Sequence, residues 1–97
     1  MDALDKARAE IDAVDAQLAA LFERRMAAVL AVAAYKKAHG LPIFDAAREA
    51  VVLDKAAARI QEPALRPYYR DHVQNMMASA WGKSALSAMW AKAPSTP

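Results

Sequence analysis

Steps of three and four from Arg8 pick out Arg8, Ile11, Asp15, Leu18, Phe22, Arg25, Val29, Val32 and Lys36, which share a single face of one helix. Nothing from about residue 3 to residue 39 breaks a helix, and the run HGLP then supplies a glycine stop at Gly40 and a proline at Pro42. The pattern predicts a first helix of about 36 residues, roughly 54 Å long at 1.5 Å per residue. A compact domain of 100 residues has a radius of gyration of only about 13 Å. Such a helix overhangs its own domain, and a second copy of the chain is the simplest cover for the overhang.

Asp45 is a good N-cap for a second helix running to about residue 61, although Glu49 stands one place too late for a standard capping box. Glu62 and Pro63 end it. A third helix follows from about residue 63 or 64 to about 90, with Pro67 tolerated because it falls in the first turn. Tyr69, Val73, Met76, Met77 and Ala80 recur on it at helical spacing and read as packing. Gly82 in mid-helix marks a close approach by another helix, Trp81 and Trp90 cover the bundle end or a pocket, and His39 and His72 read as surface or edge residues. The fold class expected is all-α: one helical domain over residues 1–97, three helices per chain, an intertwined antiparallel homodimer, and a disordered tail over about 92–97.

Composition agrees. The chain has 97 residues, 57% of them hydrophobic with many alanines, and only two glycines, which favours helix over β turns. That length lies near the size where a lone core is marginally stable, which again favours help from a second chain. With no cysteine and two scattered histidines, disulfides and thiolate metal sites are excluded and a zinc site lacks ligands. No cofactor or metal is expected. The start MDALDKARAE has no signal-peptide core, and no run approaches the roughly 18 apolar residues of a membrane span, so a soluble, cytoplasmic protein is expected. A formal charge of +2 is too small for a general nucleic-acid binder.

Where the cations stand matters more than their sum. Arg8, Arg25 and Lys36 interrupt a face that otherwise suits a packing seam, and cations facing a core need anionic partners. Each has an ordinary explanation, in which the side chain snorkels to the seam edge or pairs with an acid on a neighbouring helix. Asp15 is read as a structural residue. Arg8 and Arg25 are 17 residues apart, about 26 Å along the axis, and Lys36 lies about 16 Å further on. Arg25 and Lys36 are able to converge on one molecule, but Arg8 joins them only from a second, antiparallel chain, and two-fold symmetry then makes two equivalent sites. Arg48, in the first turn of the second helix, sits where the helix dipole disfavours a cation, so it pairs with Asp45 or Glu49 or meets a bound anion.

The run from Arg8 through ID..D..L..L, a second Arg at 25, a Lys at 36, and D..RE at Asp45, Arg48 and Glu49 resembles the all-helical, type II class of chorismate mutases. The resemblance covers roughly residues 3 to 55 in detail and the rest in outline. It implies an intertwined dimer in which Arg25 and the partner's Arg8 bind the two carboxylates of chorismate, with Arg48 near the substrate. It further implies that Lys36 donates to the ether oxygen and a carboxylate oxygen, Glu49 accepts from the ring hydroxyl, and Asp45 helps through backbone or water contacts. The product is prephenate, formed without nucleophile, metal or proton transfer. The family usually shows a Ser and, four residues later, a Gln or Glu in the third helix. Here, anchoring on Tyr69 puts Ala80 and Ser84 at those places, a slip either way puts Trp81 and Ala85 or Ser79 and Lys83 there, and no register supplies the Gln. Ser84 or Lys83 is the expected substitute, directly or through water.

Three other readings share the pattern in part. An isochorismate pyruvate lyase, forming salicylate, has the same fold and a similar cage, but D..RE resembles the mutase version. A mutase acting on an aminated chorismate analogue accounts for the missing Gln. A helical interaction or regulatory module predicts no turnover. No dehydratase, dehydrogenase or synthase domain accompanies the pattern, so a free-standing mutase of aromatic amino-acid biosynthesis is expected.

Overall fold

The computed structural model describes residues 2–42 and 44–81. Three α-helices, α1 (Ala3–Ala38), α2 (Ala46–Arg59) and α3 (Arg66–Trp81), account for most of them, with one 3-10 turn at Pro63–Leu65 and no strand among the described residues. None of these helices is long and apolar enough to cross a membrane.

Each helix end has a local cause. Asp2 caps α1, its Oδ1 accepting the Asp5 N–H at 2.8 Å. At the other end Gly40 takes φ +65°, the left-handed conformation that costs glycine little, and the Leu41 N–H donates to the Lys36 carbonyl at 2.8 Å while the Gly40 N–H reaches the Lys37 carbonyl. This is a Schellman motif. The His39 ring adds a bond from Nδ1–H to the Tyr35 carbonyl at 2.8 Å and stacks on the Tyr35 ring. Asp45 caps α2 as expected, its Oδ1 accepting the Arg48 N–H at 3.0 Å. α2 stops at Arg59, two residues before the expected end, because Ile60 and Glu62 are extended (ψ 121° and 109°), the conformation that a following proline imposes on Glu62. Glu62 then caps the 3-10 turn, so α3 proper begins at Arg66, with Pro67 in its first turn.

The described core joins α2 to α3. Leu53, Ala56, Val73 and Met77 are buried together, with Val52, Tyr69 and Met76 packed against them. Fully burying a side chain the size of Leu53, Val73 or Met77 stabilises by about 1.5–3 kcal/mol. The stripe of Tyr69, Val73, Met76, Met77 and Ala80 is therefore packing, as its spacing predicts. His39 and His72 are exposed. The expected continuation of the third helix to about residue 90, with Gly82 and Trp90, and the tail at 92–97 lie outside the described residues, as does the side chain of Trp81.

α1 is different. Burial on it is confined to its C-terminal half, at Met26 and Ala33, while every residue from 2 to 24 is exposed. Leu4, Ile11, Leu18 and Leu21 are each more than half exposed. The longest dimension, 56 Å, is essentially the length of this one helix, and the radius of gyration of 16.8 Å exceeds the ~13 Å of a compact chain of this size. The overhang read from the sequence is present.

Candidate active site

Between the C-terminal half of α1 and the start of α2 lies a cleft of about 240 Å³. From α1 come Arg25, Ala28, Val29, Val32 and Lys36, at the three- and four-residue spacing that keeps side chains on one helix face. From α2 come Asp45, Arg48, Glu49 and Val52, held at the head of that helix by the Asp45 cap. α3 adds Met77. The Schellman turn at Gly40 folds the chain back so that α2 opens beside the end of α1, and this return is what brings Lys36 and Asp45 to one cleft.

Five residues singled out in the sequence, Arg25, Lys36, Asp45, Arg48 and Glu49, thus line one cavity. Arg25, Lys36 and Glu49 are half-buried, whereas Asp45 and Arg48 are exposed. The local ion pair that would account for Arg48 is not formed: among the described residues the guanidinium meets neither Asp45 nor Glu49, and Arg25 likewise makes no ion pair. The Asp45 carboxylate is instead engaged with a backbone N–H of its own helix. Two guanidinium groups without an ion-pair partner among the described residues, beside a lysine and over an apolar wall of valine, alanine and methionine, suit an organic anion with apolar surface.

Arg8 does not line this cleft. It is exposed on the overhang, about 26 Å from Arg25 along the axis. Lys83 and Ser84 lie outside the described residues. Met77, assigned by its spacing to packing alone, does both: it is 4% exposed and forms the α3 wall of the cleft. Its thioether is a weak acceptor and donates nothing, so among the described residues α3 brings no hydrogen-bond donor to the site. Periodicity had placed Met77 on the inner face but had no means of telling that the face borders a cavity. Ala28 stands one position off the α1 stripe and Val52 carries no polar signal, so neither stands out in the sequence.

Comparison with known proteins bears on this arrangement. The family model described as chorismate mutase type II matches residues 7–81. The chain is 37% identical over 84 residues to the T-protein of Haemophilus influenzae, an alignment spanning 77% of this chain and 22% of that protein. It is 39% identical over 54 residues to the 4-amino-4-deoxychorismate mutase of Streptomyces venezuelae, spanning 56% of this chain and 52% of the relative. The chain therefore covers about half or less of the length of either relative. No solved structure matches.

Proposed function

The chain belongs to the chorismate mutase type II family, and from that premise we propose that the cleft converts chorismate to prephenate by intramolecular rearrangement. The observation that carries this reading is the convergence of Arg25, Lys36, Arg48 and Glu49 on one apolar-walled cleft in which, among the described residues, both arginines lack an ion-pair partner.

The reaction breaks the ether C–O bond while a C–C bond forms between the side chain and the ring, so it consumes no co-reactant. What it demands is a dianion held in a compact, chair-like conformer and donors at the ether oxygen, where negative charge grows. Arg25 grips one carboxylate through its planar fork, and the partner's Arg8 grips the other. Arg48 adds positive charge near the substrate. Lys36 donates to the ether oxygen and a carboxylate oxygen as a compact point charge. Glu49 accepts from the ring hydroxyl, and Asp45, occupied in capping, contributes through backbone or water contacts. Ser84 or Lys83 supplies the donor that Met77 does not.

The cage is complete only in a homodimer, which we place in the cytoplasm. The bare N-terminal half of α1 supports the second copy, and its charge supports the antiparallel direction. In that half Asp2, Asp5, Glu10, Asp12 and Asp15 outnumber Lys6 and Arg8, whereas further along Arg24, Arg25, Lys36 and Lys37 outnumber Glu23. Such a gradient also suits the helix dipole. In an antiparallel pair it sets the acidic half of one helix against the basic half of the other, and in a parallel pair it sets like against like.

A second reading concerns the ring substituent. One relative carries the name 4-amino-4-deoxychorismate mutase, and a ring amino group in this cleft would meet the carboxylate of Glu49 in a charge-assisted bond. The deciding experiment offers chorismate, its 4-amino analogue and isochorismate to wild type and Arg25→Ala, with product identification. Prephenate from chorismate, lost in an Arg25→Ala protein that stays folded, is expected. Preferential turnover of the amino analogue selects the second reading, and salicylate from isochorismate with no prephenate overturns both.

A further inference from the structure

Asp15 is the one charged member of the α1 stripe that the proposed reaction leaves without a role. It is exposed, and among the described residues it makes no ion pair. Beside the cleft runs a second, larger groove of about 560 Å³ between α1, α2 and α3. Its walls are largely apolar, Phe22 and Val73 among them, its polar groups include Arg59 and His72, and no acid lines it. Arg59 is exposed and, like Asp15, makes no ion pair among the described residues.

Taking the antiparallel dimer proposed above, whose second first helix would lie along this groove, we infer that the partner's Asp15 pairs with Arg59. The inference rests on the dimer proposed above and gives it a register. In an antiparallel pair, residues at one level shift by equal counts in opposite directions. Setting the partner's Arg8 level with Arg25 therefore sets the partner's Ile11 level with Phe22 and the partner's Asp15 level with Leu18. Leu18 and Phe22 both belong to the α1 wall of the groove. Arg25 and Val52 line both cavities, and Leu18 and Arg59 each lie seven residues from them, about 10 Å along helices leading away from the cleft. One register thus delivers Arg8 to the cleft, an isoleucine to the apolar part of the groove, and a carboxylate to the end where Arg59 stands.

The occupant follows from complementarity. The groove is apolar and cationic with no acid, and the bare half of α1 is apolar and acidic, exposing Leu4, Ile11, Val14 and Leu18 among its aspartates. Symmetry doubles every such contact. Asp15 and Arg59 thereby act as positioning residues: their pair aligns the two helices so that Arg8 arrives at the cleft, and neither touches the substrate.

Charge reversal tests this, read by sedimentation of the full chain across a dilution series with helicity measured alongside. Asp15→Lys and Arg59→Glu are each expected to weaken the dimer about 10–100-fold, and the two together to regain most of that loss. Asp15→Asn, which keeps shape and removes only charge, is expected to weaken it less. Both side chains are exposed in the single chain, so the monomer keeps its helical content. A wild-type dimer with single variants that associate as tightly as it does, or a double variant no better than the singles, overturns the pairing while leaving the mutase reading intact. A wild type that stays monomeric while fully active, with Arg8→Ala indistinguishable from it, overturns the register and the dimeric site together.

Discussion

Arg48 shows how a residue out of place reports on function. A cation in the first turn of a helix opposes the dipole by a few tenths of a kcal/mol to about 1 kcal/mol, and the neighbouring carboxylates do not compensate it, since Asp45 is turned to its own backbone. Removing that cation is therefore expected to leave the chain as stable or slightly more so, while weakening substrate binding. Arg48→Ala should raise KM with an unchanged or higher melting temperature, and a marked loss of stability would show that the guanidinium serves the fold. Lys36 carries the complementary prediction. As the donor proposed for the charge growing at the ether oxygen, its loss in Lys36→Ala should lower kcat by about 10²–10³-fold with a smaller effect on KM. A change confined to KM would assign Lys36 to the carboxylates alone.

At the scale of elements, the site depends on one turn. Gly40 is the only described residue with positive φ, and a Cβ built there meets nothing within 4 Å. The cost of Gly40→Ala is then conformational and not steric, about 1–2 kcal/mol, or a fall of roughly 4–8 °C in melting temperature per kcal/mol for a chain of this size. Gly40→Asn should cost less, since Asn tolerates the left-handed region. Asp45→Ala removes the α2 cap at about 1 kcal/mol, and because Arg48 and Glu49 sit in the turn it organises, turnover should fall further than stability alone explains. Thermal melts and steady-state kinetics on the same preparations separate the two effects.

For the whole molecule the question is where Arg8 belongs. If each cleft takes Arg25 from one chain and Arg8 from the other, Arg8→Ala and Arg25→Ala are each inactive alone, yet a mixed dimer contains one intact cleft and one doubly defective one. Refolding the two variants together in equal amounts should recover about a quarter of wild-type activity, because half the dimers are mixed and half their clefts work. No recovery would place both arginines in one chain's site or remove Arg8 from it. Dimerisation also makes the melting temperature rise with protein concentration.

The sequence by itself determined the three helices, most of their ends and the stripe on the first. These depend on contacts within a few residues: the caps at Asp2 and Asp45, the glycine stop at Gly40, and the three- and four-residue spacing of apolar side chains. It also carried Arg25, Lys36 and Arg48 as candidates, since a cation on a packing face or at a helix N-terminus stands out without any coordinates, while Asp45 and Glu49 joined them through the family resemblance. Tertiary structure decided which of them meet. The return of α2 beside the end of α1 brought five of the candidates to one cleft, kept Arg48 from its neighbouring acids, and turned Met77 from packing alone into a wall of the site. Among the described residues it also left the first half of α1 bare, because α2 and the described part of α3 run beside only the later part of that helix.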